Sequence, residues 1–595
     1  MMVSVSMLLP ERAPAANLAA GGSAADGTVD IRLDLPGIAI RTDLVSDAVS
    51  VPTTGRRLLT FAQLSDIHLV DEGSPLRTEF LDPWMGTAYR PQEALTPQVL
   101  ERMTVAVRAA RSPLSGHAPE LVITTGDNTD TGQQNEVRWF IDLLDGGVID
   151  PDSGLPGTCG TDPAGPRSVA WPGEGRGYDP ESGPQLAGRG ATPLGAAPPS
   201  VDGPGYAANA AANLAAGGRP SALMDHPGLR AAMNRPFVAS GLGLPWYASF
   251  GNHDALVQGN APLSAELIDL ASGCVKTLDL PTPIRSAAAE AGASGGRDAM
   301  MEVAFSSMAV LGGDPAAASL VRRVPGDPAR IPLTKQGFIA EHFRTRGSPS
   351  GHGFGEWNLR AGEGYYALMA APGVRLIALD TVNEAGGHQG NLDAAQFAWL
   401  HAQLLAADAA GDAVVAYGHH SLASMTQQAR GAHLGGDVDG RPARCPRTPA
   451  IDPVAPDESV RCLLLRHHSV VALVTGHEHR NRIVAHRPEG AGTPGGFWEI
   501  VTASHIEWPQ ESRLIELVDA GDQLVIVTSM IEHSPTVDVT RGLVLDGTAA
   551  LAAIARDLSF ADPQARNGRD GTADPSGAGT DRDALLLVAR PDPGP

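Results

Sequence analysis

Gly251-Asn252-His253-Asp254 closes an apolar run, Pro245-Trp246-Tyr247-Ala248-Ser249-Phe250. The run reads as a short buried strand, and its end sets an amide oxygen, an imidazole and a carboxylate side by side. In open α/β sheets ligands collect beyond the C-terminal ends of strands. Asn, His and Asp are also ordinary turn residues, so the tetrapeptide decides little alone. The same arrangement recurs. Asp66-Ile67-His68 follows Leu58 to Leu64, and Gly126-Asp127-Asn128-Thr129-Asp130 follows Leu121 to Thr125. Gly418-His419-His420 follows Ala413 to Tyr417, and Gly476-His477-Glu478-His479 follows Val470 to Thr475. Five apolar runs end in small clusters drawn from Asp, Asn and His.

Around these blocks the chain is long and acidic. Its 595 residues are ample for a sizeable core, and its formal net charge of −23 argues against general affinity for nucleic acid or anionic membranes. It does not argue against anionic substrates, because bound divalent metals invert the local field. With 69 Gly and 48 Pro, about a fifth of the chain is Gly or Pro, below the ~25–30% of low-complexity sequence. A normal core with Gly/Pro-rich insertions accounts for it. Cys159, Cys274, Cys445 and Cys462 show no metal-type spacing and leave room for one or two disulfides if the protein is exported. No run approaches ~18 apolar residues, so no membrane span is expected.

Residues 1–55 read as a tail, either disordered or the remnant of an export signal, with an extended segment from Val29 to Val45. Thr96-Pro97 predicts an N-cap and a helix to Ser112, and Asn135 to Leu144 predicts a second helix. Residues 146–241 break the pattern, as a flexible excursion or an ordered lid. A second insertion spans 272–364, with a helix over Ala299 to Val310, and a third spans 430–459. Tyr365 to Ala370 and Val374 to Asp380 read as paired strands, and Leu392 to Ala407 as a helix. Phe497 to Ala503, Arg513 to Val518 and Gln523 to Met530 read as antiparallel strands closing a second sheet. Gln564 to Thr580 reads as loose, and Ala584 to Ala589 as a final strand.

The ordered blocks DxH, GDxxD, GNHD, a lone His and GHxH resemble the calcineurin-like metallophosphoesterase superfamily, from about Leu58 to Met530. The long insertions look like those of an actinobacterial subfamily, many of whose members carry a twin-arginine export signal. The resemblance implies a four-layer αββα sandwich of α/β (α+β) class. It places the catalytic domain over 56–535 and a C-terminal extension, partly loose, over 536–595. It also implies two divalent metal ions, for which His/Asp/Asn sets suit Mn, Fe or Zn. Asp66, His68 and His479 would bind metal one. Asp127 would bridge both ions. Asn252, His419 and His477 would bind metal two, with His420 the alternative to His419. His253 would be the catalytic acid, oriented by the Asp130 carboxylate. Alternation along a strand would place Asp66 and His68, and likewise His477 and His479, on one face. His352, His388, His433 and His505 are read as structural or surface residues, and Arg480 either as an aid to phosphate binding or as an exposed arginine with no role.

Departures narrow the class. Thr131-Gly132 follows Asp130 where phosphoprotein phosphatases have Arg-Gly, and the first block is not the DxG of purple acid phosphatases. No large second domain fits after His479. The expected function is hydrolysis of phosphate esters, as a phosphodiesterase or broad phosphatase, by attack of a metal-bridging hydroxide on phosphorus. The alternative is a non-catalytic scaffold of the same fold that binds a partner or a surface. The expected partner is a small-molecule or phosphate-ester substrate rather than nucleic acid. The sequence as given places the protein in the cytoplasm, whereas the resemblance suggests export.

Overall fold

The computed structural model describes residues 28–31, 35–45, 51–82, 85–163, 178–179, 183–184, 228–311, 319–426, 445, 458–488, 495–534, 547–562 and 574–590. Among them two large sheets carry the fold. The first is built from β1 (Thr28–Asp30), β2 (Ala39–Arg41), β3 (Thr54–Leu64), β4 (Leu121–Thr124) and β5 (Trp246–Tyr247). The second contains β6 (Tyr366–Ala371), β7 (Val374–Ala378), β8 (Ala413–Tyr417), β9 (Val470–Thr475), β10 (Arg482–His486) and β11 (Phe497–Val501). The chain then returns to the first sheet with β12 (Glu511–Asp519), β13 (Gln523–Glu532) and β14 (Ala584–Ala589). The first sheet runs β2-β14-β13-β12-β3-β4-β5, with β1 beside the start of β3; the second runs β6-β7-β8-β9-β11-β10. Both have parallel centres: β3, β4 and β5 in one, and β7, β8, β9 and β11 in the other.

Side-chain alternation makes the layers. Leu376, Ala378, Val415 and Tyr417 face inward, into the core shared with Phe61 and Leu59 of the first sheet. Ile377, Val414 and Ala416 face outward, onto Phe397, Leu400, Leu404 and Leu463. Those outer residues belong to α4 (Ala394–Ala410) and α5 (Val460–Arg466), numbered after α1 (Thr96–Ala109), α2 (Gln134–Asp145) and α3 (Thr282–Leu311). α1 and α2 cover the first sheet through Leu100, Met103, Val137 and Phe140. The result is an αββα sandwich. Gln63 Nε2 donates to Thr475 O at 2.9 Å and Trp498 Nε1 to Leu587 O at 3.0 Å, joining the sheets across the middle.

Several expectations change. The segment read as an N-terminal tail contributes two strands, β1 against β3 and β2 parallel to β14. The strand at Arg513–Val518 does not close the second sheet: β12 lies antiparallel between β3 and β13 in the first. Phe497–Val501 is parallel to β9 instead of antiparallel, and its antiparallel partner is β10, which sequence reading missed. A further missed helix, α6 (Thr548–Ala561), packs Leu551, Ile554 and Leu558 against Leu95 and Val99 at the start of α1. Its apolar stripe is Ala-rich and weak in sequence. The loop expected over 430–459 lies almost wholly outside the described residues, as do most of 146–241 and residues 563–573. Two disulfides use all four cysteines. Cys159–Cys274 links the first insertion to the second, and Cys445–Cys462 ties the third to α5.

Candidate metal centre

The C-terminal ends of β3, β4, β5, β8 and β9 converge where the two sheets meet, and each delivers one of the five blocks. Asp66, His68, Asp127, Asn252 and His419 are buried, and His253 and His479 are 8% exposed. Asp66 and His68 do not lie on a strand: β3 ends at Leu64 and β9 at Thr475. Their common direction comes from left-handed backbone, with φ of 48° at Asp66, 47° at His68, 48° at Asp127, 67° at His477 and 51° at His479. Strand alternation is therefore the wrong reason for the DxH and HxH spacings. The turns are held by main-chain bonds such as Asp66 N to Gly126 O at 3.2 Å and His68 N to Asp127 O at 2.8 Å. Two glycines permit the approach: a Cβ on Gly251 would strike Asp127, and one on Gly476 would strike Ser65 and Asp66. Asp254 joins the β4 and β5 turns by accepting from Asn128 N, Thr129 N, Thr129 Oγ1 and Gly251 N.

The side chains form two adjoining groups. In one, His68 Nε2 lies 3.2 Å from His479 Nε2 and 3.5 Å from Asp127 Oδ2, while His479 Nε2 lies 3.4 Å from Asp66 Oδ1. In the other, His419 Nε2 lies 3.1 Å from Asp127 Oδ2, 3.0 Å from Asn252 Oδ1 and 3.1 Å from His477 Nδ1. Asp127 belongs to both. The opposite faces of these groups fix which atoms are acceptors. His68 Nδ1 faces Asp130 Oδ1 at 3.1 Å, His419 Nδ1 donates to Thr125 O at 2.9 Å, and Asn252 Nδ2 donates to Gly259 O at 3.0 Å. Protons committed to those partners leave His68 Nε2, His419 Nε2 and Asn252 Oδ1 presenting lone pairs inward. Lone pairs that face one another at hydrogen-bond distance need a cation between them, either a proton or a metal ion.

Without a metal ion, a proton takes that place at His419. Burial alone would lower His419, yet the carboxylates of Asp127 and Asp66 push its pKa up to about 9. Burial opposes ionisation of Asp127 as well, but His419 and the neighbouring imidazoles hold its carboxyl well below the usual carboxylate range. Carboxylates thus outweigh burial at His419. Four overlapping groups are close enough to share an ion: Asp66/His68/His479, Asp66/Asp127/His419, His68/Asp130/His253 and His419/His420/His477. The donor set is mixed N and O, which suits Mn, Fe or Zn.

Of the adjacent histidines, His420 stays close to His477 but has protein partners at both ring nitrogens: Nδ1 pairs with Thr381 Oγ1 at 2.8 Å, and Nε2 lies 3.2 Å from His388 O. His253 sits beside His68, ring centroids 4.5 Å apart, and burial pushes its pKa down to about 3. Its Nδ1 donates to the main-chain oxygen of Asp130 at 2.7 Å, with the carboxylate 3.7 Å away. The Asp130 carboxylate instead faces His68 and receives Arg77 Nη1 and Gln258 Nε2. It therefore braces His68, a candidate ligand, and His253 is oriented by a carbonyl. His352 stacks on Trp246 at 3.4 Å, and His505 bonds Ser512 Oγ at 2.7 Å; both are structural. Arg480 Nε lies 3.8 Å from Glu478 Oε2. His433 is outside the described residues.

Sequence reading missed the buried ionic support. Arg77 pairs with Asp130 and with Glu93. Glu93 accepts from Arg90 N at 2.9 Å, Arg90 pairs with Glu507 at 2.6 Å, and Glu507 Oε2 lies 3.0 Å from His479 Nδ1. The chain of contacts thus runs from His68 around to His479. The only sequence signal was the density of charge in Asp71–Glu93, which ordinarily marks a solvated surface.

No described protein family matches the sequence, and no curated protein does. Among solved structures, a dimetal phosphatase from Danio rerio matches over 80% of this chain and 100% of that one, at 11% identity and a TM-score of 0.30. A likeness this slight carries no functional argument, so the reading below rests on the side chains.

Proposed function

We propose that the protein is a dinuclear metal-dependent hydrolase of phosphate esters. The observation that carries this reading is the inward convergence of lone pairs from His68, His479, His419 and Asn252 around one shared carboxylate, Asp127. Asp66, His68 and His479 would hold one ion, Asn252, His419 and His477 the other, and Asp127 would serve both. Two such ions supply Lewis acidity to both the entering and the leaving oxygen of an in-line displacement at phosphorus. The chain's own residues fix the ligand geometry through left-handed turns, exclude bulk water by burial, and place His253 beside the centre. His253, held by the Asp130 carbonyl and kept neutral by burial, would first have to take up a proton before giving one to the departing alkoxide.

Residues 56–535 form the catalytic domain in this reading, with α6 and β14 completing it from 536–595. No described helix is long and apolar enough to cross a membrane. Disulfides persist in oxidising compartments, and the pairing of all four cysteines favours export over a cytoplasmic location. A panel of chromogenic monoesters and diesters under Mn, Zn, Fe and Co, with metal content measured in parallel, tests the proposal. Turnover that requires about two metal equivalents supports it. Metal binding without turnover of any ester would favour the scaffold reading.

A further inference from the structure

A polar thread runs through the core behind Asp66. Gln63, Ser65, Thr125, Thr502 and Arg513 are all 0% exposed. Arg513 Nε donates to Thr502 Oγ1 at 3.0 Å, and Thr502 Oγ1 donates to Gln63 Oε1 at 2.6 Å. Gln63 Nε2 donates to Thr125 Oγ1 at 2.9 Å, Thr125 Oγ1 to Ser65 Oγ at 2.6 Å, and Ser65 Oγ to Asp66 Oδ2 at 2.5 Å. The direction of these bonds is forced. A guanidinium only donates and an ionised carboxylate only accepts, which fixes the two ends. Gln63 Nε2 also meets Thr475 O at 2.9 Å, a carbonyl that can only accept, so the amide cannot be reversed. Each hydroxyl must then accept from one neighbour and donate to the next. The thread therefore points one way, from Arg513 to Asp66. It occupies Oδ2 of the carboxylate, while His477 N is shared by both oxygens at 3.0 Å. Oδ1 is the oxygen turned towards His479 Nε2, 3.4 Å away.

Arg513 is the unusual member. Its other donors meet Thr528 Oγ1, Asn481 Oδ1 and the main-chain oxygens of Val501, Asp581 and Arg582. Among the described residues none of them meets a carboxylate, whereas Arg582 pairs with Glu511. A buried cation without a paired anion is destabilising. In a low-dielectric interior, bonds aligned head to tail polarise one another, so the charge of Arg513 strengthens the Ser65 bond at the far end. We propose that Arg513, acting through Thr502, Gln63, Thr125 and Ser65, positions Asp66 for metal binding. The thread fixes the carboxylate with Oδ2 occupied and Oδ1 presented to the ion shared with His68 and His479. Arg513 is then a positioning residue on β12, far along the chain from the blocks that supply the ligands. This rests on the metal-centre part of the hydrolase reading and adds a determinant of metal affinity to it.

Two isosteric substitutions separate positioning from packing. Thr502→Val cuts the thread next to Arg513. Thr528→Val removes a hydroxyl that meets the same guanidinium at 3.3 Å and donates to Arg582 O at 2.7 Å, but lies off the path to Asp66. In a chelator titration of the Mn- or Zn-loaded protein, Thr502→Val should weaken one ion about threefold. Ser65→Ala, which removes the last donor, should weaken the same ion about tenfold or more. Thr502→Ser keeps the hydroxyl and should restore wild-type affinity. Thr528→Val should lose stability to denaturant much as Thr502→Val does, yet leave both metal affinities unmoved. Arg513→Gln should weaken the same ion as Thr502→Val, and the double variant no further. The visible spectrum of the Co-substituted protein gives a second readout: it should shift in Ser65→Ala and Thr502→Val and not in Thr528→Val. Equal metal affinities in Thr502→Val and Thr528→Val, or wild-type affinity in Ser65→Ala, would overturn the assignment even if Arg513→Gln does not fold. A protein that binds two ions and turns over no ester would sink the hydrolase reading, and these affinities would still judge the thread. A protein that binds no ion would overturn both.

Discussion

The two halves of the candidate metal centre are built from similar side chains but supported differently. His68 and His479 are backed by carboxylates, Asp130 and Glu507, which are held in turn by buried Arg77 and Arg90. His419 and Asn252 are backed by the main-chain oxygens of Thr125 and Gly259. A carboxylate behind an imidazole raises its basicity and fixes its ring. A carbonyl orients the ligand without adding charge. The first position should therefore hold its ion more tightly, and the second should be the exchangeable one.

Asp127→Ala removes the group common to both halves and should have the largest effect. Activity should fall by at least about 10³-fold, the upper range for loss of one transition-state contact, and elemental analysis should find both ions depleted. Two full equivalents in that variant would break the picture of a shared carboxylate.

Arg77→Met attacks only the first half. It leaves Asp130 and Glu93 buried without their cation, a change worth about 3–5 kcal/mol. Denaturant unfolding of the metal-free protein should show that loss. A change below about 1 kcal/mol would mean that the buried ionic chain contributes little to stability.

Glu507→Gln should sharpen the comparison. Replacing such a partner typically lowers metal affinity 10–100-fold. In a chelator titration the more tightly held ion should become the weaker by about that factor while the other is unmoved. Equal weakening of both positions would contradict the asymmetry.

The smallest expected effect is one of pH. Burial alone would raise the pKa of Asp71, but Arg330 at 2.9 Å and bonds from Ser153 and Asn135 lower it. A depressed native pKa contributes stability that is complete above the unfolded value, near 3.9. The contribution is lost as pH falls through the native value. The stability difference between wild type and Asp71→Asn should be constant from pH 7 to about 5. Below the unfolded pKa it should narrow by at most about 1.4 kcal/mol per pH unit. A gap that widens on acidification would reverse the sign and remove the Asp71–Arg330 pair as its cause.

What the sequence disclosed follows the same division. The five blocks were legible because a ligand at a strand end needs a small set of residue types in a fixed local order. The sandwich was legible from apolar runs such as Ala413–Tyr417, which lie in a parallel sheet covered on both faces. Arg77, Glu93, Arg90 and Glu507 were not legible, since burying charges depends on partners far apart in the chain: Arg90 and Glu507 are 417 residues apart. The same limit hid the sheet to which Arg513–Val518 belongs, because pairing with β3 is a long-range event that no local pattern records. The DxH spacing was read correctly as a shared direction but for the wrong cause, because a positive φ at Asp or His leaves no mark in composition.

Those left-handed turns bear on how the protein matures. A non-glycine residue in that conformation costs about 1–2 kcal/mol, and the centre contains five: Asp66, His68, Asp127, His477 and His479. The same residues crowd like-signed charge and opposed lone pairs together. A newly made chain must hold this arrangement before any ion arrives, and an ion that binds only the folded form stabilises it in proportion to the logarithm of its concentration. Metal supply would then set the lifetime of the protein as well as its activity. In a metal-poor medium, degradation of unfilled chains should lower the yield instead of leaving a store of intact, metal-free protein.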